Sequence, residues 1–311
     1  MSAASPAAVA AAAEALRRGG LVLTPTETVY GLAADAANPA AVAAVFEAKG
    51  RPRFNPLIAH VPDLAAARRL GAFDARAQAL AEAFWPGALT LVVPVLPETA
   101  VCDLARAGLD SVAVRAPDHP TAQALLRAFG GPVCAPSANR SGRPSPTTLA
   151  DALEETGFAV QAALEGGPCA VGVESTVVSV LDGAVRLLRP GGLSRERIEA
   201  VVGPLTEAED DAKRSPGRLA RHYAPEAPLR LEAVAPLPGE AYLAFGPWPE
   251  GPGVFNLSVS GDLSEAAQRL FAALRAADRI RPKAIAAAPI PDVGLGEAIN
   301  DRLRRAAGFI G

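Results

Sequence analysis

The hydrophobic positions fall into short runs, separated by longer alanine-rich segments in which apolar residues recur every third or fourth position. Short runs bounded by Gly, Pro or polar residues are typical of buried strands, and the longer periodic segments are typical of helices. The pattern predicts strands at residues 21–24, 57–61, 89–93, 111–115 and 132–135. It predicts helices at residues 40–48, 63–70 (with Asp63 as N-cap), 75–84 and 121–129, after an alanine-rich N-terminal helix that ends at Gly19-Gly20.

A change in pattern near residue 175 indicates that the first sheet is not purely parallel. Residues 175–181 and 184–188 flank Asp182-Gly183, a sequence typical of a two-residue type I′ hairpin turn. Because a hairpin joins antiparallel strands, we expect a mixed α/β sheet.

The polar, acidic residues 206–213, followed by Ser215-Pro216-Gly217, have the composition of a linker. Beyond it the pattern predicts strands at 241–245 and 284–288, with helices at 264–277 and 296–307. We therefore expect a first domain at 1–205, a linker at 206–228 and a smaller α/β domain at 229–311.

Composition excludes several classes of protein. The chain has 311 residues, of which 50% are hydrophobic, so it can bury a core and is not of the disordered type. Its net charge of −3 argues against a protein that coats nucleic acid. No apolar run approaches the ~20 residues of a membrane-spanning helix. Three widely spaced cysteines, Cys102, Cys134 and Cys169, suit buried thiols in a reducing compartment, so we expect a cytoplasmic protein.

Motif searches narrow the chemistry further. The three histidines, His60, His119 and His222, are never four residues apart, which argues against a zinc site. No glycine precedes a lysine, so a Walker A loop is excluded, and G-x-S-x-G is absent. Basic residues comprise 27 arginines and 3 lysines. This bias reflects genome composition, and it raises the question of why Lys49 is not an arginine.

The first segment with chemical potential is residues 24–32 (TPTETVYGL). It runs from a strand into a proline turn, and we expect a helix to begin there with Thr26 as N-cap. Capping explains one hydroxyl. Three threonines exceed what a cap requires and favour a site for a carboxylate or a phosphate.

A second segment places Lys49 at a helix C-terminus, followed by Gly50 and by Arg51 and Arg53 in a proline-rich loop. These cations could simply complement the helix dipole, or a stiff cationic loop could bind phosphates. His60, on the next strand, is either a half-buried strand residue or a site group.

A third segment, residues 135–146 (APSANRSGRPSP), follows a strand, at the edge where α/β sheets bind ligands. It is either an ordinary surface loop or a binding loop, and its dense hydroxyl, amide and arginine groups favour binding. Residues 172–178 and 189–192, with Ser111 and Arg115 on one strand face, are expected to converge with it on a concave surface.

Six segments in this order resemble the YrdC/YciO family: TPTETVYGL, FEAKGRPRFNPLIAH, SVAVRAP, CAPSANRSGRPSPT, GVESTVVSV and LRPGG. The segment at 215–225 and the C-terminal domain resemble the family's long two-domain form, the threonylcarbamoyl-AMP synthases. The resemblance is strong over residues 10–225 and looser beyond. It implies a YrdC-like twisted mixed sheet with helices, plus a smaller Rossmann-like α/β domain.

The resemblance implies a nucleotidyltransferase. L-Threonine, bicarbonate and ATP would give L-threonylcarbamoyladenylate, pyrophosphate and water, and the product would supply the threonylcarbamoyl group placed on adenosine beside the anticodon of certain tRNAs. The implied partner is a downstream tRNA threonylcarbamoyl transferase, with weak contact to tRNA and none to membranes. Mg²⁺ would accompany ATP, held by phosphates and water, because no carboxylate cluster for a metal is evident.

The resemblance also implies roles for individual residues. Catalytic roles fall on Lys49, Arg51, Ser137 and Asn139. ATP contacts fall on Arg51, Asn55, Ser111, Ser137, Ser145, Arg189 and Tyr223. L-Threonine contacts fall on Thr28, His60, Arg115, the backbone at Ala135, and Ser175.

Elementary chemistry agrees with these roles. A carbamate oxygen has to attack the α-phosphorus, so two anions must be brought together, and cations such as Lys49 and Arg51 would neutralise them. Arg115 can bind a carboxylate bidentately. The linker that carries Tyr223 is expected to fold over the cleft as a lid that excludes water. It departs from many relatives at residues 218–220, where they have Met, a basic residue and Tyr.

Two other readings remain. The chain could be an RNA-binding module of the same fold without adenylate synthesis, although its acidity and few aromatic residues disfavour strong RNA binding. It could also perform the carbamoyl-adenylate chemistry of hydrogenase maturation. That type of protein carries acylphosphatase and zinc-finger parts, whereas this chain has no Cys-x-x-Cys.

Overall fold

The computed structural model describes residues 3–52, 54–207 and 222–308. The α-helices are α1 Pro6–Arg17, α2 Pro39–Lys49, α3 Leu64–Ala67, α4 Ala75–Phe84, α5 Asp103–Arg106, α6 Pro120–Phe129, α7 Leu149–Thr156, α8 Arg195–Val202, α9 Leu263–Arg279 and α10 Leu295–Ala306. The strands are β1 Val22–Thr24, β2 Gly31–Asp35, β3 Ile58–His60, β4 Leu89–Pro94, β5 Ser111–Arg115, β6 Val133–Cys134, β7 Ala162–Ala163, β8 Thr176–Leu181, β9 Ala184–Arg189, β10 Thr206–Glu207, β11 Leu229–Arg230, β12 Glu240–Phe245, β13 Val254–Ser258 and β14 Ala284–Ala287.

The first ten strands form one sheet in the order β10-β9-β8-β4-β5-β3-β6-β2-β1-β7. Parallel pairs such as β3–β5 and β4–β8 alternate with antiparallel pairs such as β4–β5 and β8–β9. The last four strands form a separate, parallel sheet in the order β11-β14-β12-β13. The expected fold, a mixed α/β sheet with a second, smaller α/β unit, is confirmed.

Local sequence explains the turn at the end of β8. Asp182 and Gly183 have φ angles of 53° and 72°, the left-handed values that both positions of a type I′ turn require. The hairpin prediction is correct, and it places Arg189, at the end of β9, beside the start of β8.

Local sequence also explains where helix α2 begins and ends, and hence the position of Lys49 in its last turn. Asn38 caps its N-terminus by accepting from the N–H groups of Ala40 and Ala41, and Pro39 occupies the first turn. Gly50 ends it in the left-handed conformation, with φ of 57°. The chain therefore leaves the helix directly after Lys49, which is buried.

Two predicted elements differ in the structure. No helix begins at Thr26. Its hydroxyl accepts from the N–H groups of Thr28 and Val29 at 3.2 and 3.1 Å and so closes a turn, after which β2 returns antiparallel to β1. The predicted helix at 63–70 is only α3, although Asp63 caps it as expected. Beyond Ala67 the chain tightens into a turn because the N–H groups of Arg69 and Leu70 bond to carbonyls three residues back.

Loop residues of the first sheet pack into the hydrophobic core of the second sheet. Val29 and Val173, from loops of the first sheet, and Tyr223 pack in one cluster with α9, α10 and strands of the second sheet. Residue 53 and most of the expected linker and lid, residues 208–221, lie outside the described residues.

Within the described ranges, no helix is long and apolar enough to cross a membrane. Cys134 and Cys169 are buried free thiols, and Cys102 is a partly buried one.

Gly191 provides a test of how tightly the hairpin region packs. A Cβ at this position would overlap the backbone of Glu174, Ser175 and Thr176, which cannot move aside like a flexible side chain. We expect Gly191→Ala to lower the free energy of unfolding by about 1–3 kcal/mol, as overpacking does. Chemical denaturation measures the change.

Gly251→Ala is the matched control, because a Cβ there meets open space. Equal stability of the two variants would contradict the packing argument.

Candidate functional site

A cavity lies where loops of the first sheet meet the segment that contains Tyr223. The loops before β2 and β8, the ends of β3, β5 and β9, and the loop after β6 all contribute to its walls. Nine of the residues implied by the resemblance line it: Thr28, Arg51, His60, Arg115, Ala135, Ser137, Ser175, Arg189 and Tyr223.

All five expected threonine contacts belong to this wall, with Arg115 at their centre. Its Nη1 donates to Oγ1 of Thr28 at 2.9 Å, and its Nη2 donates to Oε1 of Glu27 at 2.5 Å. Its Nε donates to the carbonyl of Gly87 at 3.1 Å. These bonds use three of the five N–H groups of the guanidinium, so two remain for a ligand carboxylate.

His60 is a neutral group in this site. Burial, and then the charge of Arg115, lower the pKa of His60 to about 3. Its Nδ1 lies 3.2 Å from the carbonyl of Ile58. At neutral pH the imidazole can therefore offer a hydrogen bond, but it does not act as a cationic acid.

Arginines dominate the other side of the cavity. Arg51 donates from Nη2 to the carbonyl of Pro56 at 3.1 Å, and Arg189 donates from Nη2 to the carbonyl of Ser175 at 2.8 Å. Burial and the nearby Arg189 lower the pKa of Arg51 to about 10, although Tyr223 opposes the shift. Arg51 therefore stays charged near neutral pH, and the two guanidinium groups make this side attractive to anions.

Lys49 lies behind this wall and holds the loop after β6. Its Nζ donates to the carbonyl of Ser137 at 2.5 Å and to the carbonyl of Asn139. Burial and the charge of Arg51 hold the pKa of Lys49 well below its usual value. An anion bound nearby would favour the charged form of this amine.

Asn139 braces the same loop. Its Nδ2 donates to the carbonyls of Arg140 and Arg143, at 2.8 and 2.9 Å. Its Oδ1 is buried and has no partner among the described residues.

Three other expected ATP contacts are buried but do not line the cavity. The carbonyl of Asn55 accepts from Nε of Arg51, at 3.3 Å. Ser145 donates from its hydroxyl to Glu174, which does line the cavity. Ser111 pairs with Pro94 at the far end of β5 from Arg115.

Sequence reasoning did not single out three residues that belong to this site. Glu27 pairs with Arg115, and both Glu174 and His222 line the cavity. Each of the three lies within one of the sequence motifs described above, but a motif does not show which of its residues faces the cavity. Burial, and then the cations Arg51 and Lys49, hold the pKa of His222 well below its usual value.

Glu174 is the carboxylate of the cavity wall. Burial alone would raise its pKa, but Arg302, Arg189 and the Ser145 hydroxyl outweigh this effect and keep the pKa below its usual value. Arg302 is fully buried in α10.

The cavity wall includes one carboxylate, that of Glu174. Among the described residues, no group of three or more His, Cys, Asp or Glu side chains could hold a metal ion. Both oxygens of Glu174 accept hydrogen bonds, from Ser145 and Arg302. Since this carboxylate is already engaged with protein donors, a metal ion in the cavity would take its ligands from phosphates.

Comparisons with known proteins show which family the chain belongs to. A family model covering Sua5, YciO and YrdC proteins, described as telomere recombination, matches residues 14–191. A second model, described as the C-terminal domain of threonylcarbamoyl-AMP synthase, matches residues 193–308. A threonylcarbamoyl-AMP synthase of Bacillus subtilis is 41% identical over 322 residues, which cover 96% of this chain and 93% of the relative.

The chain belongs to the threonylcarbamoyl-AMP synthase family. The expectation from the sequence motifs is thereby confirmed.

Solved structures of the family extend the likeness to three dimensions. Sua5 of Pyrococcus abyssi, complexed with L-threonine, is 38% identical, matches with a TM-score of 0.90 and covers 98% of this chain and 95% of its own. A variant of that protein, in which a histidine and the following tyrosine are both alanine, matches with a TM-score of 0.88, at 36% identity, and covers 98% of this chain and 94% of its own. The present chain contains one His-Tyr pair, His222-Tyr223.

The buried neutral histidines predict a pH dependence of stability. Below a pH of about 6.5 the unfolded chain binds protons that buried His60 and His222 do not accept. The free energy of unfolding should therefore fall as the pH is lowered from 6.5 to 5, by roughly 1 kcal/mol per pH unit for each such histidine. Denaturation curves across this window measure the slope.

The control is His60→Asn, whose amide can still donate to the carbonyl of Ile58. We expect a shallower slope for this variant, by about one proton's contribution. A slope equal to that of the parent would show that His60 is protonated in the folded protein.

Proposed function

We propose that this chain synthesises L-threonylcarbamoyladenylate from L-threonine, bicarbonate and ATP, releasing pyrophosphate and water. The observation that carries the proposal is the single cavity that gathers all five expected threonine contacts with Arg51, Ser137, Arg189 and Tyr223. We call Thr28, His60, Arg115, Ala135 and Ser175 the threonine side. We call Arg51, Ser137, Arg189 and Tyr223 the nucleotide side.

The threonine side suits an amino acid. Arg115 has two N–H groups left for the carboxylate, and its own position is held by the buried carboxylate of Glu27. The hydroxyl of Thr28 and the neutral ring of His60 supply groups for the hydroxyl or amine of threonine. The P. abyssi relative was solved with L-threonine, which supports this assignment.

The nucleotide side suits a triphosphate. Arg51 and Arg189 face the cavity, and Lys49 lies behind Ser137. Arg51 and Arg189 on one side of a cavity, in a chain of net charge −3, concentrate positive charge where phosphates would lie, and a bound phosphate would favour the charged form of Lys49 behind them. We assign catalytic roles to Lys49, Arg51, Ser137 and Asn139, and contacts with ATP to Asn55, Ser111 and Ser145 as well.

The chemistry requires two steps. The threonine amine forms a carbamate with bicarbonate, and water leaves. A carbamate oxygen then forms a bond to the α-phosphorus of ATP as the bond from that phosphorus to the pyrophosphate oxygen breaks. The residues of the cavity provide orientation and charge neutralisation, which supply most of the catalysis in such reactions.

We expect Mg²⁺ to enter as the complex with ATP, because the described residues offer no carboxylate set for a resident ion. The ion would neutralise phosphate charge. The protein then has to bind the remaining oxygens, which is the role of Arg51 and Arg189.

We propose that His222 and Tyr223 close the nucleotide side, and that the linker at 206–228 between domains 1–205 and 229–311 acts as a lid. Tyr223 is buried against Phe271 of α9, with ring centroids 5.4 Å apart, and His222 packs edge-on against Tyr223 at 3.9 Å. An aromatic wall here would exclude water from a labile carbamate. A structure of the P. abyssi relative with alanines at a His-Tyr pair has been solved, and the described part of this chain has such a pair at residues 222–223.

In the cell, we expect a cytoplasmic enzyme whose product passes to a tRNA threonylcarbamoyl transferase. The alternative, an RNA-binding module without adenylate synthesis, predicts salt-dependent tRNA binding and no turnover.

The direct test is pyrophosphate release from ATP and Mg²⁺ in the presence of threonine and labelled bicarbonate. We expect release only when both threonine and bicarbonate are present, because the carbamate is the nucleophile. Release that is independent of either substrate would contradict the proposal.

Lys49→Ala should lower turnover by roughly two orders of magnitude or more, since it removes both a cation and the anchor of residues 137–139. Steady-state kinetics measure the loss, and circular dichroism checks the fold. Lys283→Ala is the control, because Lys283 is exposed in the second domain. Parental activity of Lys49→Ala would remove Lys49 from the mechanism.

A further inference from the structure

Arg302 is a fully buried arginine that belongs to the second domain but meets the wall of the cavity. Its Nε donates to Oε2 of Glu174 at 2.9 Å, across 128 positions of sequence. Its Nη1 donates to the carbonyl of Pro190 at 2.7 Å, the residue after Arg189. Its guanidinium carbon lies 5.3 Å from the centre of the Tyr223 ring. One side chain thus touches three separate segments of the wall.

Those three segments all bear on the nucleotide side. Glu174 accepts the hydroxyl of Ser145 on its other oxygen. Pro190 follows Arg189, and Tyr223 is itself a nucleotide-side residue. The threonine side depends instead on contacts within the first domain: Arg115 with Glu27, and Thr90 with Ser175 at 2.8 Å.

The position of Arg302 affects the charge that the cavity wall presents to ATP. Glu174 is a carboxylate in the wall of a cavity that would take a triphosphate, and two anions in a buried site repel each other strongly. Arg302 pairs with this carboxylate from the side of the second domain, where it does not line the cavity. The pair keeps Glu174 available to hold Ser145 without presenting a net negative charge to ATP.

We propose that Arg302 is a positioning residue for the nucleotide side: it neutralises Glu174 and holds Ser145, Pro190 and Tyr223 in register, so that the second domain completes the ATP site. The inference rests on the proposed function for the identity of the nucleotide. Arg302 acts through Glu174 and does not contact substrate.

Other ion pairs also hold the second domain against the first. Arg275 of α9 donates to Glu155 at 3.0 Å, and Arg279 pairs with Asp151 at 2.6 Å. Replacing Arg302 therefore removes the contact with the cavity wall and leaves these anchors in place.

The test compares Arg302→Met with the double variant Arg302→Met/Glu174→Gln. Arg302→Met removes the guanidinium that pairs with Glu174 and leaves Arg189 to offset this carboxylate instead of ATP, so we expect KM for ATP to rise roughly tenfold or more. KM for threonine should stay within about twofold, because the threonine side keeps its own anchors. The double variant removes the repelling charge and should recover most of the lost ATP affinity.

Two variants separate this role from general destabilisation. Arg302→Lys keeps the charge and should show a smaller rise in KM for ATP than Arg302→Met. If the methionine variant fails to fold, the lysine variant is compared with the parent instead. Arg195→Met removes another ion pair between the domains, Arg195 with Glu297 at 2.7 Å, and should leave both KM values unchanged. Neither Arg195 nor Glu297 lines the cavity.

Calorimetric titration with Mg-ATP, without threonine, makes the result independent of turnover. A parent that binds ATP but forms no adenylate would overturn the proposed function, and the same titration of the variants would still decide the role of Arg302. Equal increases in both KM values, or no recovery in the double variant, would overturn the inference.

Discussion

Burial of cations is the constraint on which the site depends. Lys49, Arg115, Arg189 and Arg302 are each at most 5% exposed. A buried charge is costly unless it is paired and hydrogen-bonded, so the surrounding chain has to supply partners at fixed positions. Lys49 donates hydrogen bonds to the backbone carbonyls of residues 137 and 139. Arg115 pairs with the carboxylate of Glu27, and Arg302 pairs with that of Glu174.

This constraint explains why the site is assembled from so many loops. Few acidic side chains face the cavity, so its cations are satisfied largely by main-chain oxygens that only correctly folded loops present. Arg51 and Arg189 line the cavity and so present positive charge to anionic substrates. The folded loops therefore both satisfy the buried cations and give the cavity its affinity for phosphate and carboxylate groups.

Much of the architecture was predictable because it depends on local signals. The Asp182-Gly183 hairpin, the Asn38 cap and the glycine exit after Lys49 each follow from a few neighbouring residues. The error at Thr26 has the same origin. A threonine that accepts from N–H groups two and three residues ahead suits a helix start or a tight turn equally well, and the pairing of β2 with two neighbours decides between them.

Residue type and short spacing were enough to predict the family, most of the longer helices and strands and the motifs from which the site is built. It also indicated that Lys49 is not an ordinary surface lysine. The tertiary structure was needed to show that Glu174 faces the cavity and that Arg302 reaches Glu174 from another domain. Contacts between residues 128 positions apart leave no periodic trace in a single sequence, because they depend on how two separately folded sheets pack together.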